Sequence, residues 1–404
     1  MSESDEDNNS WLETPVGSAW PEANDSEENP FIKWRRMLLS WHRAMQAGWN
    51  DDEYVALVEE INQQIEKTSG TMFHVTPTGI WENVSPKLPA SILWKDETGN
   101  VGGSHKARHL MGLLLHLAVD AVDAVNEERR LAISSCGNAA LGAATVAKAV
   151  GRPIDVFIPT WANPVVVDEL RELNADVHVC ERREGEIGDP CMLRFQEAVA
   201  NGGLPFGVQA IENPLTLDGG RTIGWELALA IRDNPVDDLV IQVGGGALLT
   251  SCAIGLIEAR DFDVLQTIPR IWAVQAEGCA PLHRAWEGLP ELHSVNEIVS
   301  FAKANEARLM KPWENPSSLA TGILDDITYD WLGVIRALLL TNGGSLVSPE
   351  KHIIHASELV PALGVVAEPT GSASVAGVMT LMEKEIINSN HKVAVLITGK
   401  SRKE

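Results

Sequence analysis

The sequence predicts an α/β protein of two or three domains, built on parallel sheet that is covered by helices on both faces. Three observations predict this class. The chain has 404 residues, of which 45% are hydrophobic, enough to fill more than one core. From about residue 91 onward, apolar runs typical of buried strands alternate with helical runs. Three of these strands end in turns rich in glycine or serine, and each turn is followed by a helix.

The N-terminal region precedes this alternating pattern. Residues 1–30 carry many acidic side chains and no Lys or Arg, which predicts a disordered acidic tail. Residues 31–68 have helical spacing, with apolar side chains repeating on one face. These side chains are Trp34, Leu38, Trp41 and Met45. We therefore expect packing helices before the first strand.

The predicted strands are short apolar runs bounded by turn residues. They are SILWK, RRLAISS, IDVFIP, DVHVC, PFGVQAI, DDLVIQVG, RIWAVQA, GVVAE and KVAVLIT. Runs of this kind fit parallel strands that are buried on both faces. In such sheets ligands bind at the carboxyl ends of the strands. The functional residues should therefore lie in the turns that lead from strand to helix.

Composition excludes several classes of partner and site. The net charge of −24 disfavours a nucleic-acid or anionic-membrane surface, because phosphate groups would be repelled. Five cysteines without paired spacing predict a reducing compartment and no disulfide framework. No secretory leader, membrane-spanning run or metal-ligand cluster is apparent in the sequence. We therefore expect a cytoplasmic protein without a metal.

The first of the three turns contains Lys106, in the segment GNVGGSHKAR. Gly102 and Gly103 let the backbone approach a bound group closely, and Ser104 supplies a hydroxyl. Lys106 would begin the next helix, where a partly desolvated amine is suited to imine formation with an aldehyde cofactor. The alternative is a solvated lysine, the usual state of this residue type.

The second turn is SSCGN, between the run RRLAISS and an alanine-rich helix. Backbone N–H groups and short polar side chains from Ser134 to Asn138 would surround the start of that helix, a site suited to an amino-acid carboxylate. The alternative is an ordinary helix cap, provided by Asn138 or Ser135. Cys136 is a small buried residue in one interpretation and a reactive thiol at a helix start in the other.

The third turn is the glycine run from Gly244 to Gly246, which follows DDLVIQV. Successive glycines at a helix start can form an anion-binding nest for a phosphate. A dinucleotide-binding fingerprint is excluded, because its third glycine would fall at Leu249. A glycine-rich turn without a ligand remains the alternative.

Together the three turns resemble those of the fold type II pyridoxal-phosphate (PLP) enzymes, the tryptophan-synthase-β-like superfamily. Its members include serine and threonine dehydratases, threonine synthase and cysteine synthase. The resemblance covers roughly residues 75–400 and implies PLP as the cofactor. Lys106 in GGSHKAR is similar to the family's Schiff-base lysine.

The other two turns match further parts of the same family. SSCGN is similar to the asparagine loop, so that Asn138 would contact the ring hydroxyl of the cofactor. The same match implies a substrate-carboxylate site formed by Ser134, Ser135, Cys136, Gly137, Asn138 and Ala139. QVGGGAL resembles the phosphate-binding loop, which implies a phosphate site at Gly244, Gly245, Gly246, Ala247 and Leu248.

A last match lies in the segment VLITGK, where Thr398 corresponds to the hydroxyl residue that contacts the pyridine nitrogen. Unlike a carboxylate, a hydroxyl would not hold this nitrogen protonated. The ring is then a weaker electron sink, and elimination or replacement at Cβ is favoured over transamination.

The resemblance implies an activity and an α/β organisation with two domains, each a mainly parallel sheet flanked by helices. We expect a large PLP-binding domain (residues 31–116 and 214–404), a small substrate-side domain (residues 117–213) and the cofactor in the cleft between them. The expected activity is that of a PLP-dependent lyase of the ammonia-lyase type, which eliminates at Cβ of a small L-amino acid. The alternatives are threonine-synthase-like or cysteine-synthase-like replacement, and a catalytically silent PLP-binding or regulatory protein. Family members are commonly dimers, which implies a homodimer.

Overall fold

The structure, a computed structural model, describes residues 11–120 and 129–402. The chain forms two compact units, each with its own sheet. The first unit contains residues 76–99 and 223–402 together with residues 11 and 12, and the second contains the other described residues up to residue 222. The predicted class, α/β with two domains that each contain a parallel sheet, is confirmed.

Ten strands and fifteen α-helices lie in the described ranges. The strands are β1 (Thr78–Glu82), β2 (Ser91–Asp96), β3 (Leu131–Ser134), β4 (Ile154–Pro159), β5 (Asp176–Cys180), β6 (Leu204–Pro205), β7 (Asp238–Gln242), β8 (Arg270–Ala276), β9 (Gly344–Ser348) and β10 (Lys392–Ile397). The helices are α1 (Pro30–Lys33), α2 (Leu39–Gln46), α3 (Asp51–Ser69), α4 (Lys106–Asp120), α5 (Asn138–Ala149), α6 (Pro164–Glu172), α7 (Pro190–Ala200), α8 (Thr216–Asp233), α9 (Ala247–Asp261), α10 (Pro281–Glu287), α11 (Val295–Ala304), α12 (Glu306–Leu309), α13 (Trp331–Leu340), α14 (Glu350–Ala362) and α15 (Pro369–Glu383). None of these helices has both the length and the apolar composition that a membrane crossing requires.

The sheet of the first unit has the strand order β1-β2-β10-β7-β8-β9. The edge strand β1 is antiparallel to β2, and the other pairs are parallel. In this register Ile397 of β10 lies opposite Asp96 of β2, and Val395 lies opposite Val240 of β7. The carboxyl ends of β2, β7 and β10 therefore lie at one edge of the sheet, where parallel sheets bind ligands.

The core of the first unit lies between this sheet and the helices that cover it. Every residue of β7 is buried, as are all but the first residues of β8 and β10. Helix α15 packs closely on the sheet, since a methyl group added at Gly377 would collide with the side chain of Val274. Continuous apolar runs are thus the expected sequence for these strands, because both faces are covered.

The sheet of the second unit has the order β5-β4-β3-β6, with all strands parallel. Its strands are less deeply buried, and β5 exposes three of its five residues. Helix α3 begins with a capping box formed by Asn50 and Glu53 and ends at Gly70, whose φ of +72° suits a glycine. The helices predicted for residues 31–68 are therefore present, divided among α1, α2 and α3.

Several predicted strands differ from the structure. GVVAE is not a strand, because only Ala367 forms an isolated bridge, with Lys400. PFGVQAI overlaps the two-residue strand β6 at a single position. The sequence analysis also did not identify β1 and β9. β1 is a half-exposed edge strand and β9 is rich in serine and glycine, so neither has the continuous apolar run of a central strand.

The predicted disordered tail and domain boundaries also differ from what is observed. Residues 1–10 lie outside the described residues, but residues 11–30 make defined contacts. Trp20 packs edge-to-face on Trp34, and Lys33 Nζ donates to the carbonyl of Asp25 at 2.8 Å. Residues 31–75 and 100–116, expected in the large domain, belong to the unit that contains β3–β6. Close packing of α4 against α5 accounts for part of this difference.

Candidate active site

Lys106 is the first residue of α4, as the sequence predicts. It is half-buried, whereas the next four residues of the helix are buried. The turn before it is held by Asn100, whose Oδ1 accepts the N–H of Val101 at 2.7 Å. Gly102 and Gly103 have φ of +66° and +75°, a conformation that side chains other than glycine rarely adopt. The two glycines are therefore needed for the shape of the turn that presents Lys106.

The asparagine loop lies against this lysine turn within the second unit. A methyl group added at Gly142, one helical turn after Asn138, would lie 3.5 Å from the backbone nitrogen of Ala107. A methyl group added at Gly102 would in turn lie 3.3 Å from Gly142 Cα. Small residues thus allow α4 and α5 to approach closely. The structure therefore brings the start of the Lys106 helix next to the start of the Asn138 helix.

The cap of α5 differs from an ordinary side-chain cap. The N-cap residue is Gly137, and no side chain caps the helix. Asn138 is already the first helical residue, so it is not the N-cap that the alternative interpretation, an ordinary helix cap, would require. Ser135 accepts the N–H of Gly137 at 3.4 Å, outside the helix. The first-turn N–H groups of α5 have no acceptor within the helix, which suits an anionic ligand such as a carboxylate.

The glycine turn in the first unit is enclosed by its surroundings. A methyl group at Gly244 would lie 2.5 Å from Asp325 Oδ2, and one at Gly246 would lie 2.9 Å from Val334 Cγ2. Gly246 also has a φ of +106°. The carbonyl of Gly245 accepts the N–H of Asp330 at 2.7 Å, which fixes the turn from outside. These positions therefore have both steric and conformational reasons to be glycine.

Helix α9 begins directly at this glycine turn. Gly246 is its N-cap, and no side chain caps the helix. The first backbone hydrogen bond of the helix runs from Thr250 N–H to the carbonyl of Gly246. The N–H groups of Ala247, Leu248 and Leu249 therefore have no acceptor within the helix. A phosphate is the ligand that such a turn and helix start accommodate without a basic side chain.

Thr398 lies just after β10, at the same edge of the sheet as the glycine turn. It is buried, and its hydroxyl accepts a hydrogen bond from Gln242 Nε2 at 2.6 Å. Gln242 is the last residue of β7 and was not identified in the sequence analysis. The sequence did contain an indication of its importance, because a glutamine in a strand that is buried on both faces requires a polar partner. The structure thus places Thr398 at the carboxyl edge of the sheet, the edge at which parallel sheets generally bind ligands, and gives its hydroxyl a partner.

A second feature that the sequence analysis missed is a buried charged cluster at the end of β2. Lys95 Nζ binds Glu226 Oε2 at 2.6 Å and the carbonyl of Thr76 at 3.0 Å. Thr76 Oγ1 donates to Glu97 Oε1 at 2.5 Å. The N–H of Glu97 donates to the carbonyl of Ile397, the residue before Thr398. The cluster therefore helps to fix the end of β10.

The histidines near Lys106 have partners within the second unit. His109 Nδ1 lies 2.9 Å from the carbonyl of Thr216, and His116 Nε2 lies 2.9 Å from Asp218 Oδ2. Asp218 also binds Arg221. Burial alone would raise the pKa of Asp218, but the charge of Arg221 and the hydrogen bond from His116 hold it well below its usual value. Both histidines thus join α4 to α8. Within the described part of the chain, no group of residues is arranged as a metal site.

Several enzymes of known structure share this fold. Diaminopropionate ammonia lyase from Escherichia coli matches with a TM-score of 0.64 at 15% identity, over 97% of this chain and 95% of that chain. At this identity the match shows the fold. It is the fold type II architecture that the sequence motifs predict, and that prediction is confirmed.

The chain belongs to the family of pyridoxal-phosphate dependent enzymes, whose model matches residues 71–399. A threonine synthase of Methanosarcina acetivorans is 26% identical over 330 residues, which are 80% of this chain and 74% of that protein. A serine dehydratase-like protein of Rattus norvegicus is 29% identical over 225 residues, which are 54% of this chain and 63% of that protein. The protein is therefore a PLP-dependent enzyme, and the cofactor prediction is confirmed.

The described residues fit this cofactor. A lysine at a helix start, an uncapped helix N-terminus behind three glycines and a buried hydroxyl at a strand end are groups that can hold an aldehyde, a phosphate and a ring nitrogen. The glycine turn is the most specific of these, because side chains at Gly244 and Gly246 would collide with the neighbouring Asp325 and Val334. The assignment of individual residues to parts of the cofactor is a proposal.

Proposed function

We propose that this enzyme is a PLP-dependent lyase that removes the Cβ substituent of a small L-amino acid, with serine and threonine as the first candidates. Lys106 would hold the cofactor covalently, Gly244 to Leu248 its phosphate, and Asn138 its ring hydroxyl. The observation that carries the proposal is the buried hydroxyl of Thr398, bound to a neutral amide at 2.6 Å. No carboxylate takes part in that hydrogen bond, so this pair does not favour a protonated ring nitrogen.

The cofactor, when bound, supplies an electron-withdrawing ring that stabilises negative charge at Cα of the substrate. The amine of Lys106 would take the proton from Cα, because a lysine at this position is the group that the family motif assigns to the reacting centre. Backbone N–H groups of residues 134–139 would bind the substrate carboxylate and orient the Cα–H bond. Departure of the Cβ group would then lead, after hydrolysis, to a keto acid and ammonia.

The relatives support both elimination and replacement, since a threonine synthase and a serine dehydratase-like protein both match. Replacement on a phosphorylated substrate would require a second anion site besides that of the cofactor. The sequence shows no evident cluster of basic residues for such a site, and we therefore propose an unphosphorylated substrate. Threonine-synthase-like and cysteine-synthase-like replacement remain the alternatives within the same chemistry.

The test is a substrate screen with the purified, PLP-loaded enzyme. Serine and threonine should yield pyruvate and 2-oxobutyrate, with little effect of an added thiol acceptor. Borohydride reduction followed by peptide mapping should place the cofactor on Lys106. The Lys106→Ala variant should lose activity by about 10²–10⁴-fold or more, the usual contribution of a proton-transferring group. The exposed Lys67 on α3 offers the matched control, and Lys67→Ala should retain activity.

Three outcomes would contradict the proposal in different ways. A modified lysine other than Lys106 would remove the site assignment. Thiol-dependent products without keto acid would favour replacement. A visible absorbance band that no amino acid shifts would favour the catalytically silent protein.

The proposal includes the cellular setting of the enzyme. The five free cysteines are consistent with a reducing compartment, and we propose the cytoplasm. A homodimer is proposed from the family resemblance. Sedimentation of the loaded enzyme at several concentrations would test it.

A further inference from the structure

We propose that Gln242 is a positioning residue that orients the Thr398 hydroxyl as a hydrogen-bond donor and thereby keeps the ring nitrogen of the cofactor unprotonated. The inference rests on the proposed role of Thr398 and deepens it. It concerns only residues of the first unit. It assigns a function to the first residue of the motif QVGGGAL, which the sequence analysis left without a role.

The orientation of the Gln242 amide is fixed by three acceptors. Its Nε2 lies 2.6 Å from Thr398 Oγ1, 3.2 Å from the carbonyl of Thr370 and 3.4 Å from the carbonyl of Gly371. Carbonyl oxygens can only accept hydrogen bonds, so the amide group that faces them must be the NH2. The opposite assignment would bring oxygen against oxygen at two of the three contacts.

The other end of the amide supports the same assignment. Gln242 Oε1 is buried and has no hydrogen-bond partner among the residues that the structure describes. A buried acceptor in this state is unfavourable. The contacts of Nε2 must therefore outweigh this cost and hold the amide in place.

The amide of Gln242 determines the direction in which the hydroxyl of Thr398 can donate a hydrogen bond. An amide NH2 can only donate, so Thr398 Oγ1 accepts, and its own hydrogen must point away from Gln242. The backbone of Thr398 is held at the same turn, because its N–H donates to the carbonyl of Gly371 at 3.2 Å. The hydroxyl is thus set as a donor in a direction other than that of Gln242.

A donor hydroxyl distinguishes the two forms of a pyridine ring. The unprotonated nitrogen is an acceptor and matches the donor, whereas the protonated nitrogen is itself a donor and does not. Since Gln242 is neutral, it provides no charge that would stabilise the protonated form. The pair therefore favours the unprotonated ring, the form that suits elimination.

The test replaces the amide with groups of nearly the same shape and follows the ring nitrogen directly. In Gln242→Glu an oxygen faces Thr398, so the hydroxyl turns to donate to it and can only accept from the ring. In Gln242→Met the hydrogen bond from the amide to the hydroxyl is lost. We would load each protein with ¹⁵N-labelled PLP and measure the nitrogen chemical shift from pH 6 to 9, with free PLP at low and high pH as references.

The matched control is Gln275, a buried glutamine on the neighbouring strand β8. Its amide donates to the carbonyl of Val243 at 3.4 Å and to Thr328 Oγ1 at 3.3 Å, and has no contact with Thr398. Gln275→Glu introduces the same chemical change one strand away. It should leave the nitrogen shift at the wild-type value.

The wild-type shift should match unprotonated PLP across the pH range. In Gln242→Glu the shift should move toward that of protonated PLP, and in Gln242→Met the nitrogen should titrate at a higher pH than in the wild type. A protonated nitrogen in the wild type, or unchanged shifts in both variants, would overturn the inference. If Gln242→Glu does not fold, Gln242→Met alone decides. A wild-type protein that binds no PLP would instead defeat the proposed function.

Discussion

The starts of helices α9 and α5 are built on the same plan and differ in how they are enclosed. Each follows a strand of a parallel sheet, begins after a glycine and lacks a side-chain cap. A methyl group at Gly246 would collide with Val334, whereas one at Gly137 would meet nothing within 4 Å. Neighbouring side chains therefore confine the turn before α9, which we call the enclosed turn. The turn before α5 has no such neighbours at Gly137, and we call it the open turn.

This difference matches two kinds of ligand. A phosphate has a constant shape, and a turn made of glycines with rigid walls suits it in every member of a family. The open turn carries the short side chains of Ser135, Cys136 and Asn138, which are half-buried and can vary without disturbing a core. We infer that the enclosed turn fixes the cofactor and the open turn is where substrate differences are recognised.

The largest effect is expected at the buried Asp218, in the unit that also contains the open turn. Its carboxylate binds Arg221 and His116 and accepts the N–H groups of Leu39 and Ser40. Asp218→Asn removes the carboxylate that binds the buried guanidinium of Arg221, so the free energy of unfolding should fall by about 3–5 kcal/mol at pH 7. Chemical denaturation would measure it, with Asp120→Asn, at an exposed pair with Arg43, as a control expected to cost less than about 1 kcal/mol.

This effect should depend on pH. The folded pKa of Asp218 is lowered, so its contribution is complete above the unfolded pKa of about 4 and is lost as the pH falls below it. The difference between wild type and Asp218→Asn should therefore be constant above about pH 5 and shrink below about pH 4. A difference that grows on acidification would show that Asp218 is not charged in the folded protein.

A smaller effect is expected when the glycine at each of the two helix starts is replaced by alanine. Gly246→Ala places a side chain at a φ of +106° and against Val334, which should cost about 2–3 kcal/mol and weaken PLP binding. Gly137→Ala, at a φ of −137°, should change stability by less than about 1 kcal/mol. Thermal unfolding of both apoproteins measures this contrast. Equal losses would remove the distinction between an enclosed and an open turn.

The smallest effect is expected at Cys136, in the open turn. Cys136→Ser keeps nearly the same size, so stability should stay within about 0.5 kcal/mol of the wild type. If this turn recognises the substrate, KM should change while the dissociation constant of PLP does not. Steady-state kinetics and a PLP titration would measure the two quantities. A change in PLP binding alone would place Cys136 on the cofactor side.

The sequence predicted those parts of the fold that one local pattern determines. The buried strands β7 and β10 and the three turns were found because continuous apolar runs and glycines leave a direct signal. GVVAE has the same signal but no neighbouring strand to pair with along its length, and it forms a single bridge. The composition of a segment does not show which strand it would pair with. The wrong prediction of GVVAE as a strand could therefore not be avoided from the sequence alone.

The parts of the site that the sequence did not predict depend on distant contacts. Gln242 and Thr398 are 156 positions apart, and Lys95 and Glu226 are 131 apart. Each is an ordinary polar residue in its own segment, and only the strand order brings the pairs together. A polar residue in a buried strand indicates that a partner exists, but the sequence does not identify that partner.

The contact between Asp218 and α2 has a consequence for how the chain is made. The N–H groups of Leu39 and Ser40 are bound by a carboxylate 179 and 178 positions later. At about 5–20 residues per second, the ribosome needs on the order of ten seconds or more to reach it. During that interval α2 lacks the acceptor for its first turn. Nascent chains arrested before residue 218 should therefore leave α2 sensitive to protease, and longer chains that expose Asp218 outside the ribosome should protect it.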